Sequence, residues 1–416
     1  MTQELLRQII DYSSRANPYP LYEELRKTPV SHDGSGPYVV SGYYEIRSLL
    51  HDPRISSDAR NLKSADGDPL ADPEQEEEAV LPPAFLRLDP PEHDRLRRMT
   101  NRPFGPPHSP HRVHDMRGEL GGIVKGLIDG IAESGHLDRI DLVEQFSYPF
   151  PVTVICRLLG VPPEDEARFH VWADTLAASL DPDPDAPDPK GRAKKSKDAR
   201  MELGMYLAGL IEERRKHPTG DMLSELATAQ GPDGAMTTME LLSTSALLLI
   251  AGHETTVNLI TNGMLTLLRH PEVLERLRAD PALAVPIVEE LLRYEPPVQL
   301  VPQRTALADI EIGGVTIPQG ASIWLVLASG NRDPKRFPDP DRFDPDREDV
   351  QHLGLGSGIH SCFGAPLARL EAALALSELA RRLENPRLLE DPPPYRQNAV
   401  LRGPRHLPIA CDGIRA

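Results

Sequence analysis

Cysteine is scarce in this chain: Cys156, Cys362 and Cys411 are the only three among 416 residues. They are odd in number, far apart and form no Cys-x-x-Cys pair, which argues against a disulfide framework, zinc and an intrinsic iron–sulfur cluster. Long apolar runs are missing too. The best, Ala246-Leu247-Leu248-Leu249-Ile250-Ala251, is too short to span a bilayer. The amino terminus is interrupted by Gln3, Glu4, Arg7, Gln8 and Asp11, unlike a signal peptide, so a cytoplasmic protein with no membrane partner is expected. Basic charge is in deficit: the formal net charge of −17 leaves no dominant basic face for phosphates, and no nucleic-acid partner is expected. There is no internal repeat. What remains is 39% hydrophobic residues, enough for a substantial core, with 43 prolines and 26% charged residues that predict many punctuated loops around it.

The pattern is mixed at the start and helical afterwards. Tyr19 to Lys27 and Tyr43 to His51 read as helices, with strand fragments at Val30 and Tyr38 to Ser41 between them. Asn61 to Pro83 is rich in Pro, Asp and Glu and has no periodicity. From Asp115 to Leu180 helix dominates, with breaks at Pro149-Phe150-Pro151 and Pro162-Pro163. Asp181 to Pro189, continued by Lys190 to Lys197, is expected to be an acidic then basic linker. The longest helix is predicted from Thr237, with Glu240 completing a capping box, to His270-Pro271. It is apolar all round, which predicts burial through the middle of the molecule. Helices at Pro271 to Arg278 and Leu283 to Tyr294 follow, then strands at Asp309 to Ile312, Val315 to Ile317 and Ile323 to Leu327. Gly330 to Asp349 is predicted as coil.

One cysteine stands apart. Cys362 lies in Leu355-Gly356-Ser357-Gly358-Ile359-His360-Ser361-Cys362-Phe363-Gly364, directly before a helix marked by Pro366, Leu367, Leu370, Leu374 and Leu376. A helix amino terminus brings free N–H groups and a positive dipole end to the sulfur, and both favour thiolate over thiol. Two other readings of the glycines fail. A dinucleotide fingerprint on Gly354 and Gly356 needs glycine at Ile359, and a nucleophile elbow at Ser357 needs glycine at Leu355.

The run Gly-x-Gly-x-His-x-Cys-x-Gly before that helix resembles the signature of the cytochrome P-450 superfamily. The resemblance extends from Asn17-Pro18-Tyr19-Pro20 to Leu401-Arg402-Gly403, with one departure: Leu355 stands where the family has an aromatic. It implies a mainly α fold with a small β portion, a single haem domain over residues 1–416, and haem b between the long central helix and the cysteine loop. Cys362 would be the iron's thiolate ligand, a donor that favours O–O cleavage. Ala251-Gly252-His253-Glu254-Thr255-Thr256 matches the family's oxygen-activating segment, so Glu254 and Thr255 would pass protons toward the oxygen, the small residues making room for a ligand. His93 and Arg97 on one helix face, Arg304, and His360 would hold the propionates. Glu290, Arg293 and Arg342 would form a structural triad.

For function, the resemblance implies a monooxygenase that inserts one atom of O2 into a hydrophobic small molecule, with C–H hydroxylation as the default. Secondary-metabolite tailoring, steroid hydroxylation and detoxification all fit. The pocket would draw on Leu81 to Leu86, Trp172 to Leu180, Leu247, Ala251, Val298, Leu300 and Ala399-Val400-Leu401. No flavin or nicotinamide domain is present, so a ferredoxin and its reductase are the expected electron donors, docking near Arg95, Arg97, Arg98 and Arg102. Two other classes compete: a peroxide-using haem peroxygenase, whose members commonly lack the acid–alcohol pair, and a non-catalytic recruitment module, against which Cys362, Glu254 and Thr255 count.

Overall fold

Thr237 opens the longest helix by a reciprocal cap: its Oγ1 accepts the Glu240 N–H at 3.2 Å, and Glu240 Oε2 accepts the Thr237 N–H at 2.8 Å. The computed structural model describes residues 2–62, 82–105, 108–180 and 189–416. Its principal helices are α1 (Glu92–Asn101), α2 (Arg117–Ser134), α3 (Pro149–Leu159), α4 (Glu166–Leu180), α5 (Pro189–Lys216), α6 (Thr238–Arg269), α7 (Ala284–Tyr294) and α8 (Ala365–Arg382). The long helix α6 packs against α3, α4, α5, α7 and α8. Its second half, Val257 to Leu267, is continuously buried, as its all-round apolar sequence requires.

A five-stranded sheet flanks this bundle. Its strands are β1 (Val30–Ser31), β2 (Tyr38–Val40), β3 (Ile55–Ser56), β4 (Val301–Ala306) and β5 (Ser322–Leu325), in the spatial order β1-β2-β5-β4-β3. Only β2 and β5 run parallel, with Val39 opposite Trp324. β4 escapes the sequence pattern because Pro302 sits inside it. The ladder accommodates the proline by a register shift between Val301 and Arg304, with Gln303 at φ +57°. Such a bulge bends the strand and re-aims the side chain after it, here Arg304.

Two expectations need correction. Lys190 to Lys197 is not linker but the start of α5, where Pro189 occupies the first turn and Ser196, Ala199, Leu203 and Leu207 form a buried face. Pro149-Phe150-Pro151 does not break a helix but begins α3. The interruption lies just before it, in the π-helical turn Val143–Ser147. The acidic segments 66–78 and 181–188 lie outside the described residues.

Candidate active site

Cys362 sits between a 3-10 turn (Gly358–His360) and the first turn of α8. Its N–H donates to Leu355 O at 2.8 Å, closing the loop on itself. Gly358 has φ +69°, and a Cβ there would lie 2.0 Å from Leu50 O, so this position admits only glycine. Gly364 differs: a Cβ would meet nothing within 4 Å. That is open space beside the sulfur. Burial pushes the Cys362 thiol up, more than the N–H groups of Gly364 and Ala365 and the charges of Arg97 and Arg369 pull it down, so the expected preference for thiolate at this helix end does not hold by itself. The residue is nonetheless exposed, unlike Cys156 and Cys411. A metal ion would take the thiol proton outright.

Around this loop the structure gathers polar groups that lack partners. His93, buried on α1, lies with its ring centroid 4.4 Å from that of His360, the two planes tilted by 59°. His93 Nε2 and both ring nitrogens of His360 are buried without hydrogen-bond partners. Burial, then the neighbouring His93, Arg304 and Arg97, pushes the His360 imidazolium down to about 3. Arg97, one turn after His93, donates to Ser361 O at 2.7 Å. Burial and the nearby Arg87 push the Arg304 guanidinium down to about 10. Among the described residues no carboxylate pairs with Arg304. A buried guanidinium asks for anionic oxygens, and buried imidazole nitrogens without partners ask for polar groups of a ligand. A macrocycle with two carboxylates seated over a thiol fits this donor set. Phe85, Phe104 and Phe363 add an aromatic cluster beside it, with Phe104 and Phe363 centroids 4.5 Å apart.

On α6, Ala251 is exposed, whereas Gly252 faces α3: a Cβ there would stand 2.7 Å from Ile155 Cδ1. Of the two small residues, Ala251 leaves room for a ligand and Gly252 serves helix packing. Thr255 Oγ1 donates to Ala251 O at 2.7 Å, the back-bond usual for a mid-helix threonine, and its lone pairs stay open to a donor. Glu254 is buried rather than turned to solvent, with Oε1 3.1 Å from Arg396 Nε and 3.4 Å from Asn258 Nδ2. His253 packs edge-on to Tyr148 at 4.4 Å, and burial, then Arg396, pushes it down to about 3. It is a packed helix residue.

Leu247 lines a cavity of about 250 Å³ with Pro82, Pro83, Leu86, Ser243 and Ala246. Leu300 does not belong there. It is fully buried in the cluster of Leu6, Tyr22 and Trp324, with Val400 packed against that cluster. Val298 packs under the sheet and bridges to Leu401. Trp172 is turned into the α4–α5 contact, where it donates to Glu202 Oε2 at 3.0 Å. Leu81 and the side chains of residues 177–180 lie outside the described residues.

The expected triad is also revised. Glu290 and Arg293 form a buried bidentate pair, but the second guanidinium on Glu290 is that of Arg347, at 3.2 Å. Arg342 turns its side chain to solvent, with a loose 3.8 Å contact to Asp344, and gives the cluster its carbonyl, which accepts from Arg293 at 3.0 Å and Arg347 at 3.2 Å. Its neighbour Asp341 is drawn to Arg332, so the turn carries Arg342 outward. The basic cluster on α1 is largely paired: Arg98 and Arg102 share Asp233 at 2.8 and 3.4 Å, and Arg95 pairs with Glu240.

A fold of this shape, with a cysteine loop feeding a helix and a long buried helix opposite, is that of the haem monooxygenases. The sequence profile of Cytochrome P-450 matches residues 89–286 and 282–408, and the chain belongs to that family. It is 41% identical over 404 residues to the cytochrome P-450 monooxygenase PikC of Streptomyces venezuelae, covering 95% of this chain and 91% of the relative. It is 37% identical over 407 residues to the 6-deoxyerythronolide B hydroxylase of Saccharopolyspora erythraea, covering 95% and 96%. The ligand-free structure of Mycobacterium smegmatis CYP164A2 superposes with a TM-score of 0.82 at 40% identity, covering 98% of this chain and all of that one. The protein is therefore a monooxygenase that uses haem, O2, redox partners and a small-molecule substrate. Among the described residues no helix is long and apolar enough to cross a membrane.

The closed position at Gly358 and the open one at Gly364 predict opposite outcomes for the same substitution. Gly358→Ala is expected to destabilise the apoprotein by about 1–3 kcal/mol through steric strain. Gly364→Ala is expected to leave apoprotein stability within about 0.5 kcal/mol but to weaken haem retention. Urea unfolding and haem titration of both variants would check this.

Proposed function

We propose that this single-domain enzyme hydroxylates an apolar small molecule with haem b held by Cys362, His93, Arg97, Arg304 and His360. The observation that carries the reading is a cluster at the loop that presents Cys362: His93 Nε2 and both His360 ring nitrogens, buried without partners, and the Arg304 guanidinium, with which no carboxylate pairs among the described residues. When bound, the haem supplies oxygen activation. The protein's own residues orient and protonate: Ala251 leaves room above the loop, Leu247 and its neighbours hold apolar surface, and Glu254 supplies a carboxylate beside the Thr255 hydroxyl. Electrons would arrive from a ferredoxin and its reductase in the cytoplasm, with the exposed Arg98 on α1 the most available docking cation.

Incubation with labelled dioxygen and a panel of apolar candidates should give a product carrying one labelled oxygen atom. Product whose oxygen comes only from water would defeat the proposal. Glu254→Gln is expected to lower turnover by on the order of 10²-fold, the usual weight of a positioned proton donor, with substrate affinity unchanged. Stopped-flow turnover beside equilibrium substrate titration separates the two effects.

A further inference from the structure

Adjacent acids on α7 hold different parts of the molecule. Glu290 faces the coil that carries Arg347, whereas Glu289 faces the cysteine loop and α8. Glu289 is gripped by one guanidinium: Oε1 accepts from Arg369 Nε at 2.5 Å and Oε2 from Arg369 Nη2 at 2.9 Å. Oε2 also meets His352 Nε2 at 3.2 Å. The tautomer of His352 follows from its other nitrogen, because Nδ1 accepts the Gly354 N–H at 3.1 Å and so leaves the proton on Nε2. His352 is almost fully buried, whereas Arg369 keeps 42% of its side chain exposed, so the clamp is shielded from water on its His352 side only. Burial pulls the Glu289 carboxyl up, but hydrogen bonds from His352 and Arg369 outweigh it and hold it down to about 2. It is an anion wherever the protein works.

The clamp grips both sides of Cys362. His352 and Gly354 lead into the loop whose Leu355 carbonyl receives the Cys362 N–H. Arg369 lies seven positions after Cys362 on α8, and its charge acts on the sulfur. Arg369 alone would be a free cation on the thiolate side; bound to Glu289 it is a neutral pair.

We propose that Glu289 is a positioning residue for haem reduction: by fixing and neutralising Arg369 it sets the field at the Cys362 thiolate, and thereby how readily the redox partner's electron is accepted. This rests on Cys362 being the iron ligand. Reduction adds one negative charge to the site, so a free cation favours it and a free anion opposes it.

The test is spectroscopic potentiometry of the haem-loaded protein as wild type, Glu289→Gln, Arg369→Gln and the double variant, each first checked for the red-shifted band of its reduced carbon monoxide complex. Glu289→Gln should shift the reduction equilibrium about tenfold toward the reduced form, about 59 mV for one electron. Arg369→Gln should shift it the opposite way. The double variant restores net neutrality and should return to within about threefold of wild type. A merely structural clamp would move both single variants in one direction, with no recovery in the double, and that result overturns the proposal. Should Glu289→Gln not fold, Arg369→Gln decides with Arg369→Lys, which keeps the charge: equal potentials in the two overturn it. Absence of the red-shifted band in wild type would instead remove the thiolate reading, and this inference with it.

Discussion

Cys362→Ser is expected to abolish both monooxygenation and the red-shifted Soret band that a thiolate-ligated haem gives after dithionite reduction and carbon monoxide addition. The surroundings of the sulfur explain why oxygen cannot substitute. Burial at Cys362 opposes any anion and holds the thiol above its ordinary range, with two backbone N–H groups, Arg97 and Arg369 offsetting it only in part, so that a metal ion is needed to take the proton even from a thiol. A serine hydroxyl starts far above a thiol in pKa, so the same groups leave it protonated, and a neutral hydroxyl is a poor ligand. Cys156→Ser and Cys411→Ser serve as controls. Cys156 is fully buried in the main core with its thiol pushed up to about 12 by burial, and burial raises Cys411 as well. Neither substitution should alter the spectrum. A wild-type spectrum from Cys362→Ser, or loss of the band in either control, would show that another group holds the iron.

How far the sequence could be read depended on whether a residue's neighbours were local. The Cys362 loop, the Thr237 cap and the long buried helix were legible because their signals lie within a few residues of one another. Strand β4 was not, since Pro302 hides a bulge that only the flanking strands make tolerable. The start of α5 was misread because a run of lysines conceals the buried stripe from Ser196 to Leu207. At the site, residue types pointed correctly to a cluster, but partners set by tertiary contact escaped. Arg396, which holds Glu254 from 142 positions away, carries no local signal. The same holds for Glu289, indistinguishable in sequence from any helix-surface acid, and for Leu300, whose apolar side chain suits a core as well as a pocket.

Arg347 and Arg342 differ in the same way, and the difference is measurable as stability. Glu290 and Arg293 have side chains 1% and 0% exposed, and Arg293 also donates to the carbonyls of Asn331, Pro340 and Arg342 at 2.8–3.0 Å. Glu290 further accepts the Asp344 N–H at 2.9 Å. This ion pair thus ties both ends of the irregular coil between Asn331 and Arg347 to α7, beside the separate anchors of Arg332 on Tyr294 O and of Asp333 on the Tyr43 N–H. Removing the carboxylate strands two guanidiniums in the interior, a change that costs about 3–5 kcal/mol. Against a total stability on the order of 5–15 kcal/mol, Glu290→Ala should leave the protein barely folded and unable to retain haem. Arg347→Ala should be clearly destabilising, because it also frees the carbonyls of Pro338 and Asp339. Arg342→Ala should be within about 0.5 kcal/mol of wild type, as its side chain is 69% exposed, makes only a loose surface pair with Asp344, and leaves the carbonyl that Arg293 uses in place. Urea unfolding of the three variants in parallel decides between the arginines: equal losses for Arg342→Ala and Arg347→Ala would return Arg342 to the triad.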